Sequence, residues 1–92
     1  MTKSDIVNSI SEQTGISKEE VYAVVEAFTA TVRENLLNDQ EVFLRGFGSF
    51  TIKVRKERTG RNIKENTTIF IPAHKTVVFK PAIAFAEAMK EK

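Results

Sequence analysis

The sequence predicts an α+β domain: two helices, then a three-stranded antiparallel sheet with a long protruding hairpin arm, then a short C-terminal helix. Three observations carry this. Residues 1–40 repeat apolar side chains at helical spacing, and residues 41–81 alternate them at strand spacing. Residues 82–92 follow a proline and mix small with large apolar side chains. No linker, repeat or low-complexity stretch divides the chain, so 1–92 is expected to be a single domain.

The first helix opens at Thr2, with Asp5 three residues later as a variant capping box. Ile6, Val7 and Ile10 follow at helical spacing, and Gly15 supplies a C-terminal stop. Ser17 and Glu20 form a second box. Behind it Val21, Val25, Phe28, Val32 and Leu36 are spaced by 4, 3, 4 and 4, with Val24, Ala27 and Leu37 widening the stripe. So broad a face on a helix of about 20 residues exceeds what one short neighbour can cover, which points to a dimer. Asn38-Asp39-Gln40 ends the helix.

Val42, Phe43 and Leu44 make a short apolar strand that runs into Arg45-Gly46-Phe47-Gly48, whose glycines favour a tight turn. From Ser49 the chain alternates: Phe50, Ile52 and Val54 point one way, Thr51, Lys53 and Arg55 the other. The apolar face stops at Val54, while residues 55–68 stay strand-like and polar. That pattern fits two strands continuing past the core as an arm at about residues 55–70. Turn-forming chemistry begins at Thr59-Gly60-Arg61-Asn62, and Asn66 tolerates the positive φ that closes a tip. Ile69, Phe70 and Ile71 resume the apolar pattern, and Thr76-Val77-Val78-Phe79 continues it. Pro81 suits the first turn of the last helix, where Ile83, Ala84, Phe85, Ala88 and Met89 supply packing residues.

Size narrows the options. A chain this short buries only about 60–65% of the surface its unfolded form exposes. If the hairpin projects, the remaining core falls in the ~70-residue range, where oligomerisation or another staple is usual. The chain has no cysteine, which excludes disulfides and thiolate metal sites. Its single histidine, His74, cannot assemble a metal site alone and reads as a surface strand residue. Neither cofactor nor metal is expected. No apolar run approaches the roughly 20 residues needed to span a bilayer. Met1-Thr2-Lys3-Ser4-Asp5 has no apolar signal region, so a cytoplasmic location and no membrane partner are expected.

Catalysis finds no foothold. Ser49 has no histidine that sequence can place beside it. Gly46-Phe47-Gly48 lacks the third glycine and following helix of a nucleotide-binding loop. No acid/base pair can be assembled, so neither an enzyme nor a small-molecule substrate is expected.

The net charge of +2 conceals a polarised chain. Residues 1–44 hold three bases against eight acids, a balance of −5; residues 45–92 hold eleven against four, a balance of +7. The densest stretch carries Arg45, Lys53, Arg55, Lys56, Arg58, Arg61 and Lys64 against Glu57 alone. A basic ribbon with so little neutralisation needs a polyanion, and nucleic acid is the natural one.

Gly46-Phe47-Gly48-Ser49-Phe50, followed by Arg55 and Arg58-Thr59-Gly60-Arg61-Asn62, resembles the signature of the bacterial HU/integration host factor family of histone-like DNA-binding proteins. The resemblance covers essentially the whole chain, including the opening Met1-x-Lys3-Ser4 and Phe79 before a short helix. It implies an intertwined homodimer, or a heterodimer with a paralogue, in which a helical base carries a β-saddle. Two arms would enter the minor groove of double-stranded DNA, including bent, nicked or branched DNA.

On that resemblance Arg55, Arg58 and Arg61 match the arm arginines, with Asn62 beside them; Arg45, Gly46 and Lys64 join the DNA-facing set. Lys3, Ser49, Lys53, Lys75 and Lys80 would lie near phosphates on the saddle or body, although surface solubility alone also accounts for Lys75 and Lys80. Val25, Phe28, Val32, Phe47, Phe50 and Phe79 would form the dimer core. The family usually has proline where this chain has Ile63, which is apolar enough to wedge between base pairs but lacks the fixed φ. Ile83 and Ala86 replace residues often basic in relatives.

The expected function is therefore architectural: binding, bending and compacting DNA in the nucleoid, with little sequence specificity. Two rivals stand beside it. One is a sequence-specific subunit resembling integration host factor; the other is a protein-interaction scaffold whose hairpin pairs by strand addition.

Overall fold

The computed structural model describes residues 1–62 and 67–92. Two helices come first, α1 (Lys3–Thr14) and α2 (Lys18–Leu37). Strands β1 (Val42–Leu44), β2 (Gly48–Arg55), β3 (Arg58–Asn62), β4 (Thr67–Ile71) and β5 (His74–Pro81) follow, and α3 (Ile83–Lys90) closes the chain.

Side chains at the helix ends set the boundaries. Thr2 and Asp5 form the full reciprocal capping box of α1, and Gly15 ends it with φ 75°, its N–H donating to the Ser11 carbonyl at 2.9 Å. The Ser17 hydroxyl accepts from the Glu20 N–H at 3.2 Å and opens α2. Asp39, φ 62°, turns the chain out of α2 towards β1.

The strands form a sheet of order β1-β2-β5 and a separate ribbon, β3-β4, all antiparallel. The three-stranded sheet and protruding hairpin expected from the sequence are both present; among the described residues the two long strands are interrupted at the same level, which divides them into four segments. The interruption lies at Lys56-Glu57 on one side and Pro72-Ala73 on the other. Pro72 has no N–H to donate, so the ladder cannot run through it. The register nonetheless continues: Arg55↔His74 ends one ladder, and Arg58↔Ile71 resumes at the same offset. Thr59-Gly60-Arg61-Asn62, expected to begin a turn, is strand throughout. Asn66, expected to close the tip, lies outside the described residues. Pro81 is the last residue of β5, paired with Gly48, and not part of α3; Ala82 is the N-cap.

The sheet rests against α2 through β1 and β2. Beyond the end of β1, the Glu41 carboxylate accepts the Ile52 N–H at 2.9 Å and so extends the edge by one bond. Of the four glycines, Gly48 is the most closely approached. A Cβ there would stand 2.5 Å from the Lys80 carbonyl oxygen and 2.6 Å from the Phe79 ring. Only glycine lets β5 approach so closely. Gly46, with φ 82°, makes the turn that delivers Phe47 to the Phe79 ring, 5.1 Å between centroids.

The described residues enclose almost no interior. Among the described residues only Val7 and Val21 are buried apolar side chains. The chain exposes 7841 Å², where a compact monomer of this mass exposes about 5,400 Å². Its radius of gyration is 18.4 Å, against about 12 Å for a compact domain of this length. An extended arm and an uncovered apolar face both contribute.

Gly48→Ala is expected to cost about 1–3 kcal/mol, as overpacking does. Gly60→Ala, whose nearest neighbour would be the Ile71 methyl at 3.6 Å, is expected to change stability by less than about 1 kcal/mol. Urea unfolding of the two variants distinguishes them; equal costs would mean that the approach at Gly48 imposes no constraint.

Candidate nucleic-acid interface

Directly opposed residues in an antiparallel pair share a face. On β2 and β5 the pairs Ser49↔Lys80, Thr51↔Val78, Lys53↔Thr76 and Arg55↔His74 therefore occupy one face. The pairs Phe50↔Phe79, Ile52↔Val77 and Val54↔Lys75 occupy the other. The pleat thus brings Ser49, Lys53, Arg55 and Lys80 together on a surface separate from the apolar one. Lys75 is set apart. It stands on the apolar side, where its Nζ donates to Asp39 Oδ1 at 2.7 Å just past the end of α2.

Lys3 is also engaged within the chain. Its ammonium donates to the Glu26 carboxylate across the α1–α2 pair and lies 5.3 Å from the Tyr22 ring centroid. The bond to Glu26 raises the Lys3 pKa above its ordinary value and lowers that of Glu26. Asp5 is lowered too, because the Thr2 backbone N–H and hydroxyl donate to its carboxylate.

Arg45 is exposed in the turn after β1, beside Gly46. Where β2 gives way to the ribbon, Arg55, Lys56, Glu57, Arg58 and His74 line a polar cleft of about 480 Å³. Further out, Arg61 pairs in register with Thr68, and Asn62 with Thr67. Ile63 and Lys64 lie outside the described residues.

Of the expected dimer-core residues, Phe47, Phe50 and Phe79 form a ring cluster, while Val25, Phe28 and Val32 lie along α2. Phe50 and Phe79 are 5.1 Å apart, and Phe47 is 5.1 Å from Phe79 and 5.7 Å from Phe85, stacked on it at 20°. Phe85 thereby joins a cluster that sequence reasoning limited to three rings. Val25 and Val32 are half-buried on α2; Phe28 is 46% exposed, Phe47 48% and Val77 51%. Sequence reasoning missed Glu26 and Asp39 as partners of Lys3 and Lys75. Separations of 23 and 36 residues leave no local signal for either.

The profile of the bacterial DNA-binding protein family matches residues 1–90. This chain belongs to that family. Within it, the chain is 40% identical over 91 residues to DNA-binding protein HU of Thermus thermophilus, covering 99% of this chain and 94% of that one. It is 35% identical over 89 residues to integration host factor subunit alpha of an Anaeromyxobacter species, covering 97% and 90%. The Anabaena HU–DNA cocrystal structure superposes with a TM-score of 0.91 over the whole of both chains, at 34% identity. Among the described residues, no helix is long and apolar enough to cross a membrane.

The Lys3–Glu26 pair sets a pH window. Glu26 and Asp5, with lowered pKa values, contribute stability above the ordinary carboxylate range and lose it as pH falls through their folded values. Lys3, with a raised pKa, contributes below 10.5 and loses it as pH rises through its folded value. Glu26→Gln is expected to lower Tm at neutral pH and to change it little at about pH 2, where the protonated Glu26 carboxyl is as uncharged as the glutamine amide that replaces it. Equal losses at both pH values would show that charge contributes nothing to the pair.

Proposed function

We propose that this protein is a histone-like architectural DNA-binding protein that acts as a dimer, bending and compacting duplex DNA with little sequence selectivity. One observation carries the reading: the cationic face of β2–β5 runs, without a slip in register, into an arm bearing Arg58 and Arg61. Such a surface offers phosphate contacts on the saddle and reach along the arm. The likeness to an HU solved with DNA supports it.

The second subunit follows from energetics. Fully burying an apolar side chain of this size contributes about 1.5–3 kcal/mol, and Phe28, Phe47 and Val77 each leave about half of that unrealised. A second copy covering α2 and the phenylalanine cluster would recover it. Two arms would then reach around the duplex from one saddle. Their arginines would enter the minor groove, which distinguishes little beyond A·T from G·C pairs. Ile63 would insert between base steps at a cost of a few kcal/mol per step, offset by the phosphate wrapped against Lys53 and Lys80. The protein would reside with the DNA in the cytoplasm and perform no catalysis.

The likeness to an integration host factor subunit favours a second reading, a sequence-selective bending subunit paired with a paralogue. Footprinting on random against selected DNA separates the two, since sharp protection of one motif belongs to the second reading alone.

Replacing Arg58 and Arg61 together by Glu is expected to abolish binding to long duplex DNA while the protein still sediments as a dimer; retained binding would remove the arm from the interface. With about six phosphates neutralised, log Kd against log salt should have a slope of magnitude near 5. Ile63→Ala should reduce bending, read by end-to-end energy transfer, more than it weakens binding. Unchanged bending would end the wedge role.

A further inference from the structure

His74 is the chain's only histidine, and neither the packing nor the duplex grip described above uses it. It opens β5 directly opposite Arg55, with its side chain exposed on the cationic face. Its ring lines the arm-root cleft with Arg55, Lys56, Glu57 and Arg58. Ring Nδ1 lies 3.0 Å from the Pro72 carbonyl oxygen. A carbonyl oxygen only accepts, so Nδ1 carries the hydrogen, and the neutral ring presents Nε2 as a lone pair. Against phosphate oxygen that is acceptor facing acceptor. Taking up a proton turns Nε2 into a donor and gives the ring a positive charge.

We propose that His74 is a protonation-gated phosphate contact at the arm root, engaging the DNA backbone once its ring is charged. The proposal rests on the duplex-binding reading above. The charged groups facing the ring are Arg55, opposite on β2, and Lys53, two residues along the same face. Lys56 and Glu57 approach from the interruption, and Arg58 from the start of β3. Lys75, next on the same strand, points to the other face and is bonded to Asp39. The cleft lining thus carries three permanent cations against one acid, an environment that admits an anion. Seated phosphate and ring proton favour each other, because coupling between two bound species is reciprocal. DNA phosphodiesters stay ionised throughout the range in which imidazoles titrate, so the proton is taken up by the protein.

The test is the affinity of the intact protein for a linear duplex, measured by fluorescence anisotropy at constant ionic strength at about pH 8 and about pH 5.5. The unsubstituted protein is expected to bind about ten-fold more tightly at the lower pH. His74→Gln, uncharged at both, should match it at the higher pH and gain little at the lower. His74→Arg should bind at the higher pH as tightly as the unsubstituted protein does at the lower. Equal pH dependence in the unsubstituted protein and His74→Gln would overturn the gate while leaving duplex binding intact. Absence of duplex binding at both pH values would instead remove the architectural reading, and the gate with it. Circular dichroism of each variant checks that the fold is retained.

Discussion

Phe50, Phe79, Phe47 and Phe85 form a chain of ring contacts running from the central strand pair to the last helix, and most of the architecture is arranged around it. Gly48 permits it, since any side chain there would strike the Phe79 ring. Gly46 turns the backbone so that Phe47 can reach it. The Ala82 N–H, donating to the Phe47 carbonyl at 2.8 Å, sets where α3 begins and so where Phe85 lies. The cluster holds the chain together yet remains half open to water. Its energetic deficit is the physical reason a second subunit belongs to the functional reading.

The same strand pair also has to face a polyanion, and pleat parity reconciles the two demands. Odd-numbered positions of β2 carry Ser49, Thr51, Lys53 and Arg55 outward, while even-numbered positions carry the apolar set. Cations therefore need no apolar neighbour sacrificed to them. The acids lie mostly in the helices, and two of them hold Lys3 and Lys75. Both pairs are solvent-exposed, where water screens the attraction and a pair adds little to stability. Either lysine could exchange its carboxylate for a phosphate at little cost.

Much of this was legible in the sequence because the signals are local. The box at Thr2 and Asp5, the Gly15 stop and the alternation from Ser49 each act within a few residues and form as read, whereas of the box expected at Ser17 and Glu20 only the Ser17 cap forms. The interruption at Lys56-Glu57 was not legible, since polar alternation looks the same in a ladder and just outside one; Pro72 was the available signal. Pro81 misled because its fitness for a helix start was overridden by pairing with Gly48. The separation of Lys75 from Lys80 could have been counted, because Lys75 shares the parity of Val77 and Phe79.

The arm has a different composition problem from the saddle, since its described apolar side chains stay open to water. Ile69 is 45% exposed and Phe70 60%, on opposite faces of a ribbon that also carries Arg58. Exposed apolar side chains on a thin basic ribbon would be a liability in a protein whose partner offered only charge. The minor groove offers more: phosphates along its rims, and sugar and base surface between them. An arm that carries a cation among exposed apolar side chains can satisfy both at once. That the arm keeps the saddle's register across a gap in the ladder lets it project from the sheet without a change of pairing, so that grip and platform remain parts of one hairpin.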